Sequence, residues 1–174
     1  GYIATVGGGN QNVASGGSST VSGGSSNTAG TEASTIGGGY GNNVSYSGNI
    51  TGYVGTIAGG WLNKVTDGGG TVGGGLLNQA GDDAVTDRSF PTVGGGSYNI
   101  ASGQNSTVGG GRSNTASSYD ATIAGGELNA AVQYSAVGGG YQNIASGALS
   151  TIPGGWNNTA AGLSSFAAGY RAKA

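Results

Sequence analysis

A five-residue pattern, Thr-Val/Ile-x-Gly-Gly, recurs along almost the whole of this 174-residue chain. Successive copies start 15, 15, 21, 15, 21, 15, 15, 14 and 15 residues apart, a regularity that flexible glycine-rich linkers lack. Self-similarity at a fixed period is the signature of a solenoid, so the repeat limits the chain to stacked, nearly identical turns. Nine copies begin with Thr and one with Ala: Thr5, Thr20, Thr35, Thr56, Thr71, Thr92, Thr107, Thr122, Ala136 and Thr151.

A second pattern recurs in the other half of each copy. Seven residues after each start stands an Asn, and two residues further comes a small apolar residue, Ala or Val. Dense glycine and β-branched residues disfavour helices, and glycine suits tight turns. The pattern therefore predicts two short strands and two turns per copy. We expect an all-β chain: a parallel β-roll or β-solenoid of about eleven rungs of 14–15 residues, forming a single domain over 1–174 with a degenerate last rung at 164–174, opened by Ser165 and Phe166.

Strand alternation predicts which residues point inward. The Val/Ile position has no polar member, so it is expected to fill the interior. In the second strand the Asn and the Ala or Val share one face, whereas the residue between them varies freely and should face solvent. The Asn side chains are expected to be structural: they can hydrogen-bond from rung to rung in a ladder, and they can also bind turn backbone groups. They are Asn12, Asn27, Asn42, Asn63, Asn78, Asn99, Asn114, Asn129, Asn143 and Asn158.

Composition excludes several classes of function. The net charge is −2 and no basic stripe is present, which argues against nucleic-acid binding. No apolar run is long enough to cross a membrane. The chain has 42 Gly but no Cys and no His, so thiolate metal sites and the commonest catalytic base are missing. We expect no enzyme activity, no cofactor and no metal site. No initiator Met or signal peptide is visible, so a mature product or a fragment is expected.

Two 21-residue rungs carry six extra residues each, at 45–55 and 81–91. The insertions start 36 residues apart, so they should emerge from one edge two rungs apart. Loops on a rigid scaffold often bind ligands, although a tolerated surface insertion is the simpler interpretation. A Ca²⁺ site or a catalytic carboxylate pair at the three Asp residues is a weaker alternative. The candidate ligand-binding residues here are Tyr46, Tyr53, Asp82, Asp83, Asp87 and Arg88.

A second candidate surface comes from the turn position five residues after each start, which would form an exposed column along one edge. Aromatic side chains at this position could bind sugars or pack on a protein partner. The alternative is that they stack on one another and stiffen the edge. Its large members are Tyr40, Trp61, Leu76, Arg112, Tyr141, Trp156 and Tyr170, and the candidate ligand-binding residues among them are Tyr40, Trp61, Tyr141 and Trp156.

The units STVGGGRSNTAS (106–117) and SAVGGGYQNIASG (135–147), with the ending SSFAAGYRAKA (164–174), resemble the head repeats of trimeric autotransporter adhesins of the YadA type. Similar repeats occur in tail-fibre-like bacterial and phage proteins. The resemblance implies a left-handed parallel β-roll, three chains around one axis and a role in surface attachment.

Together these features predict an extracellular structural and adhesive rod at a bacterial cell surface or in a virion fibre. Its partners would be other copies of the chain, as a homotrimer or polymer, and a host glycan or surface protein. Two alternatives stay open: a self-assembling filament or sheath subunit without a specific ligand, and a phage or virus tail-fibre segment.

Overall fold

The computed structural model describes residues 2–46, 54–82 and 90–174. These residues form a parallel β-solenoid of about ten turns and contain no helix. Each turn contributes one two-residue strand to each of two ten-stranded sheets. Tyr53, Asp83, Asp87 and Arg88, four of the predicted binding residues, lie outside the described residues.

The first sheet holds the Thr-Val/Ile pairs of successive turns in chain order. Thr5 pairs with Thr20 and Val6 with Val21, and the same register continues to the last strand. Its strands are β1 (Thr5–Val6), β3 (Thr20–Val21), β5 (Thr35–Ile36), β7 (Thr56–Ile57), β9 (Thr71–Val72), β11 (Thr92–Val93), β13 (Thr107–Val108), β15 (Thr122–Ile123), β17 (Ala136–Val137) and β19 (Thr151–Ile152).

The second sheet holds the residue after each Asn and the small apolar residue that follows it. Its strands are β2 (Val13–Ala14), β4 (Thr28–Ala29), β6 (Asn43–Val44), β8 (Lys64–Val65), β10 (Gln79–Ala80), β12 (Ile100–Ala101), β14 (Thr115–Ala116), β16 (Ala130–Ala131), β18 (Ile144–Ala145) and β21 (Thr159–Ala160). The 21-residue rungs keep this register, because Lys64 pairs with Asn43 and Ile100 with Gln79. The two predicted strands of each rung are confirmed.

A third line of backbone pairing was not predicted. The residue after the glycines, treated above as part of a turn, forms a parallel bridge to its equivalent in the next rung, from Asn10 and Ser25 onward to Trp156. At the end of the chain this line widens into a two-stranded sheet of β20 (Gly155–Trp156) and β22 (Gly169–Tyr170). Each rung is therefore pinned to its neighbours along three lines rather than two.

The interior follows the predicted faces. The Val/Ile position is fully buried from Val21 to Ile152, and so is the Ala or Val of the second strand from Ala29 to Ala160. Val6 is 46% exposed because no described turn covers it. The residue between the Asn and the Ala points outward, as at Ile100 and Ile144. Burying each Val or Ile contributes about 1.5–3 kcal/mol, so this column is the main apolar support of the rod.

The Asn residues line the interior as a continuous ladder. In each rung the Asn Nδ2 donates to the carbonyl of the glycine four residues earlier and to a glycine carbonyl of the next rung, as Asn114 does to Gly110 and Gly126. The Asn Oδ1 accepts the backbone N–H of the next Asn, for example from Asn129 to Asn114 at 3.0 Å. In the last turn the backbone N–H of Ala172 takes this place, donating to Asn158. The expected structural role is confirmed.

The last turn is shifted by one residue relative to the repeat pattern, which placed Ser165 opposite Thr151. Phe166, expected in the Val/Ile position, pairs with Thr151 and is 63% exposed, while Ala167 takes the buried position. Between this point and the edge of the rung the last copy is one residue shorter: it lacks one of the two glycines, and Gly169 pairs with Gly155. The prediction for this copy was therefore wrong in register, and the physical reason is that a phenyl ring does not fit a core built for Val and Ile.

Candidate functional site

The predicted exposed column exists, and we call it the edge column: the bridged residue of each rung, from Asn10 to Tyr170. Its backbone bridges hold successive side chains one above the next along the rod. The position itself accepts small polar residues, since Ser25 and Ser97 occupy it with the same bridges. The fold therefore does not require the aromatic side chains that occur elsewhere in the column.

One aromatic cluster of the edge column lies at Tyr40 and Trp61. Their ring centroids are 5.3 Å apart and the rings are tilted by 57°. The two side chains are 47% and 55% exposed, and Leu62 and Leu77 at the adjoining corner are also exposed. Because the rings are tilted, each covers only part of the other, and a ring face remains open to a ligand. This is the more accessible of the two clusters.

The other cluster consists of Tyr141, Trp156 and Tyr170. The rings are nearly parallel, with interplanar angles of 14° and 15° and centroid distances of 6.2 and 4.7 Å. The guanidinium of Arg171 lies 5.1 Å from the Trp156 ring centroid and 5.2 Å from that of Tyr170. These ring faces are directed at one another and at a cation, so this cluster fits the alternative of mutual stacking that stiffens the edge.

A polar stretch separates the two clusters. Arg112 and Glu127, on adjacent rungs of the edge column, form a salt bridge of 2.7 Å. Both side chains reach solvent, so the pair contributes little to stability. The rod edge therefore presents two separate aromatic surfaces.

The predicted loop residue Tyr46 does not project freely into solvent. Its ring packs against the apolar core. Burial raises the pKa of its hydroxyl, and the nearby Asp67 carboxylate adds to the increase, against polar contacts with Thr31 and the Gly69 backbone that lower it. Tyr46 thus anchors the root of the first insertion, and its ligand-binding role stays a prediction.

Asp82 is the second residue of the second insertion and is exposed. Its backbone N–H lies 3.3 Å from Oδ1 of Asp67, a buried carboxylate on the preceding rung that the sequence did not single out. No group of three acidic or other metal-ligating side chains occurs in the described part of the chain. The Ca²⁺ and carboxylate-pair alternatives both depended on Asp83 and Asp87, so they stay untested.

Asp82 also borders a depression that sequence reasoning missed. It has a volume of about 170 Å³ and lies where three successive rungs turn after their second strands, β10, β12 and β14. No motif marks it, since its residues come from three rungs and meet only when the rungs stack. It is lined by Asp82, Ser102, Gly103, Gln104, Ser117, Ser118 and Tyr119.

No protein-family model matches the chain, and no curated protein matches it either. Within the described ranges, no helix is long and apolar enough to cross a membrane.

Proposed function

We propose that the chain is the rod of an extracellular adhesin, which presents the Tyr40–Trp61 cluster to a host glycan or surface protein. The observation that carries this proposal is the exposure of two tilted aromatic rings at positions where the fold accepts serine. Large exposed aromatic side chains on a rigid frame supply contact area at a small cost in conformational entropy. The neighbouring exposed side chains of Leu62 and Leu77 extend this apolar surface.

The resemblance to adhesin head repeats supports the same proposal. By that resemblance the rod winds left-handed and three copies associate around one axis at a bacterial surface. Light scattering on the purified chain measures this association. A mass three times that of one chain is the expected result, and a monomer at micromolar concentration would contradict the trimer.

Binding is tested with variants of the exposed cluster. We expect Tyr40→Ala combined with Trp61→Ala to reduce binding on a glycan array, or to immobilised matrix proteins, by at least about tenfold, the loss typical of removing aromatic anchors. Tyr134→Ala is the matched control, because Tyr134 is similarly exposed but lies outside the edge column. Equal binding by the double variant and the control would refute the role of the cluster.

A filament or sheath subunit without a specific ligand is the second candidate. The stacked Tyr141–Trp156–Tyr170 cluster favours it, because those rings serve the rod itself. The two functions differ in a simple measurement. A filament subunit forms polymers whose length grows with concentration and binds no array component, whereas the adhesive rod has a fixed mass and binds through Tyr40 and Trp61.

A further inference from the structure

We propose that the depression between Asp82 and Ser118 is a separate subsite that binds one neutral sugar residue through its hydroxyl groups. It lies after the second strand of the rung and involves no residue of the edge column. The subsite therefore adds to the proposed function and does not depend on Tyr40 or Trp61.

The stacking of three rungs creates the depression. Ala80, Ala101 and Ala116 pair in register, so the lining residues that follow them come from three successive rungs. At a rung spacing of about 4.8 Å, the first and third of these rungs are about 10 Å apart. The depression therefore spans the middle rung, at Gly103.

Gly103 contributes bare backbone to the lining of the depression. A Cβ at this position would lie 2.1 Å from the carbonyl oxygen of Ser118, closer than any side chain is tolerated. The close approach of the next rung therefore requires glycine here. A ligand entering the depression meets this backbone and the polar side chains around it.

The lining favours a polyhydroxylated neutral ligand. Ser102, Ser117 and Ser118 each offer a hydroxyl that donates and accepts, and Gln104 offers an amide that does both. The Asp82 carboxylate accepts hydrogen bonds, which suits sugar hydroxyl donors. The Tyr119 ring, which is 52% exposed, supplies an apolar flank for the C–H face of a sugar ring.

Charge and size exclude other ligands. None of the seven lining residues is cationic, so the lining offers no attraction to an anionic sugar or a phosphate. No aliphatic side chain lines the site, so an apolar ligand gains nothing there. A depression of about 170 Å³ is of a size to receive one sugar ring.

The test is an amide-resolved NMR titration of the whole chain with methyl glycosides of glucose, galactose, mannose and N-acetylglucosamine, and with glucuronate as the anionic counterpart. We expect at least one neutral glycoside to shift the amides of 102–104 and 117–119 saturably, with a Kd on the order of millimolar. Glucuronate should bind at least tenfold more weakly. Absence of saturable shifts at these amides with all four neutral glycosides would overturn the proposal.

Two variants distinguish the subsite from non-specific binding. Ser117→Leu fills the wall of the depression and should abolish the shifts, whereas Ser146→Leu should leave them unchanged. Ser146 is the matched control because it stands at the same exposed position of its rung, directly after Ala145, outside the depression. Equal effects of Ser117→Leu and Ser146→Leu would contradict the assignment.

The two proposals fail independently. The Tyr40→Ala and Trp61→Ala pair should leave the titration at 102–104 unchanged. If array binding persists in Ser117→Leu and the NMR shifts are absent in the unsubstituted chain, the subsite is wrong and the adhesive role of the edge column stands. Saturable NMR shifts in the unsubstituted chain, together with array binding that the Tyr40→Ala and Trp61→Ala pair leaves unchanged, would refute the role of the edge column and support the subsite.

Discussion

The interior Asn residue is the most heavily used side chain of the rung. Each amide satisfies glycine carbonyls of its own and the next rung, while its oxygen accepts from the following rung. The Asn amide therefore supplies the hydrogen bonds that water would make to an exposed turn, and the turn backbone is not buried without partners. The sequence predicted that Asn could serve in a rung-to-rung ladder and also bind turn backbone, because Asn recurs on the apolar face. The structure has both at once, in the same side chain.

This bonding makes Asn114→Asp strongly destabilising. The substitution keeps the shape but removes the Nδ2 donor and places a carboxylate beside the carbonyls of Gly110 and Gly126. A buried unsatisfied group costs about 1–3 kcal/mol, and a charged one more, so we expect a loss of at least ~3 kcal/mol in urea denaturation at pH 7. The loss should shrink at low pH, where the carboxyl is neutral. Asn157→Asp is the control, because Asn157 is exposed and stands outside the ladder, next to Asn158; it should change stability by less than ~0.5 kcal/mol.

At the level of the element, glycine and left-handed residues shape a corner that propensity alone does not reveal. The two strands of each rung were predicted because β-branched and small residues alternate there. The bridged edge column was missed because a single paired residue has no alternation. Each edge-column residue stands between a glycine and, in most rungs, a left-handed residue, as Trp61 does between Gly60, at φ +94°, and Leu62, at φ 55°. Leucine seldom adopts that conformation, so no local rule places it there.

The glycines of one triplet differ in what they tolerate. A Cβ on Gly111 would lie 2.1 Å from the Gly126 carbonyl oxygen at a φ of +90°, whereas one on Gly110 would meet nothing closer than 3.9 Å. We expect Gly111→Ala to lower stability by about 3 kcal/mol through strain and backbone displacement. Gly110→Ala should cost less than ~1 kcal/mol. The two urea midpoints measure this, and similar losses for both variants would show that the close approach at Gly111 is not limiting.

At the scale of the whole molecule, the rod is a one-dimensional stack in which each rung contacts only its neighbours. Its repeat could be read from the sequence because the same side chains recur at the same spacing. The Asp82–Ser118 depression could not, since its lining residues come from three rungs and meet only when the rungs stack. Likewise, the one-residue shift of Phe166 depends on which side chain the core accepts, not on the spacing of the motif.

A one-dimensional stack should lose a complete rung without losing its fold. Deletion of 136–150 joins Ser135 to Thr151, replacing the Ser150–Thr151 junction with one of the same residue types. Ile152 then stacks on Ile123 and Asn158 on Asn129, so the core column and the Asn ladder both continue. Deletion of 136–143 removes half a rung and brings Ile144 into the position of a first-sheet Thr, which breaks both columns.

We therefore expect the 15-residue deletion to keep the β-type circular dichroism spectrum and a single unfolding transition at a slightly lower temperature. The eight-residue deletion should lose the cooperative transition, although it removes fewer residues. Loss of structure in both would mean that the rungs depend on contacts beyond their neighbours. Because removal of a rung then removes only that rung and its two interfaces, the length of the rod can vary while the aromatic cluster at Tyr40 and Trp61 stays intact.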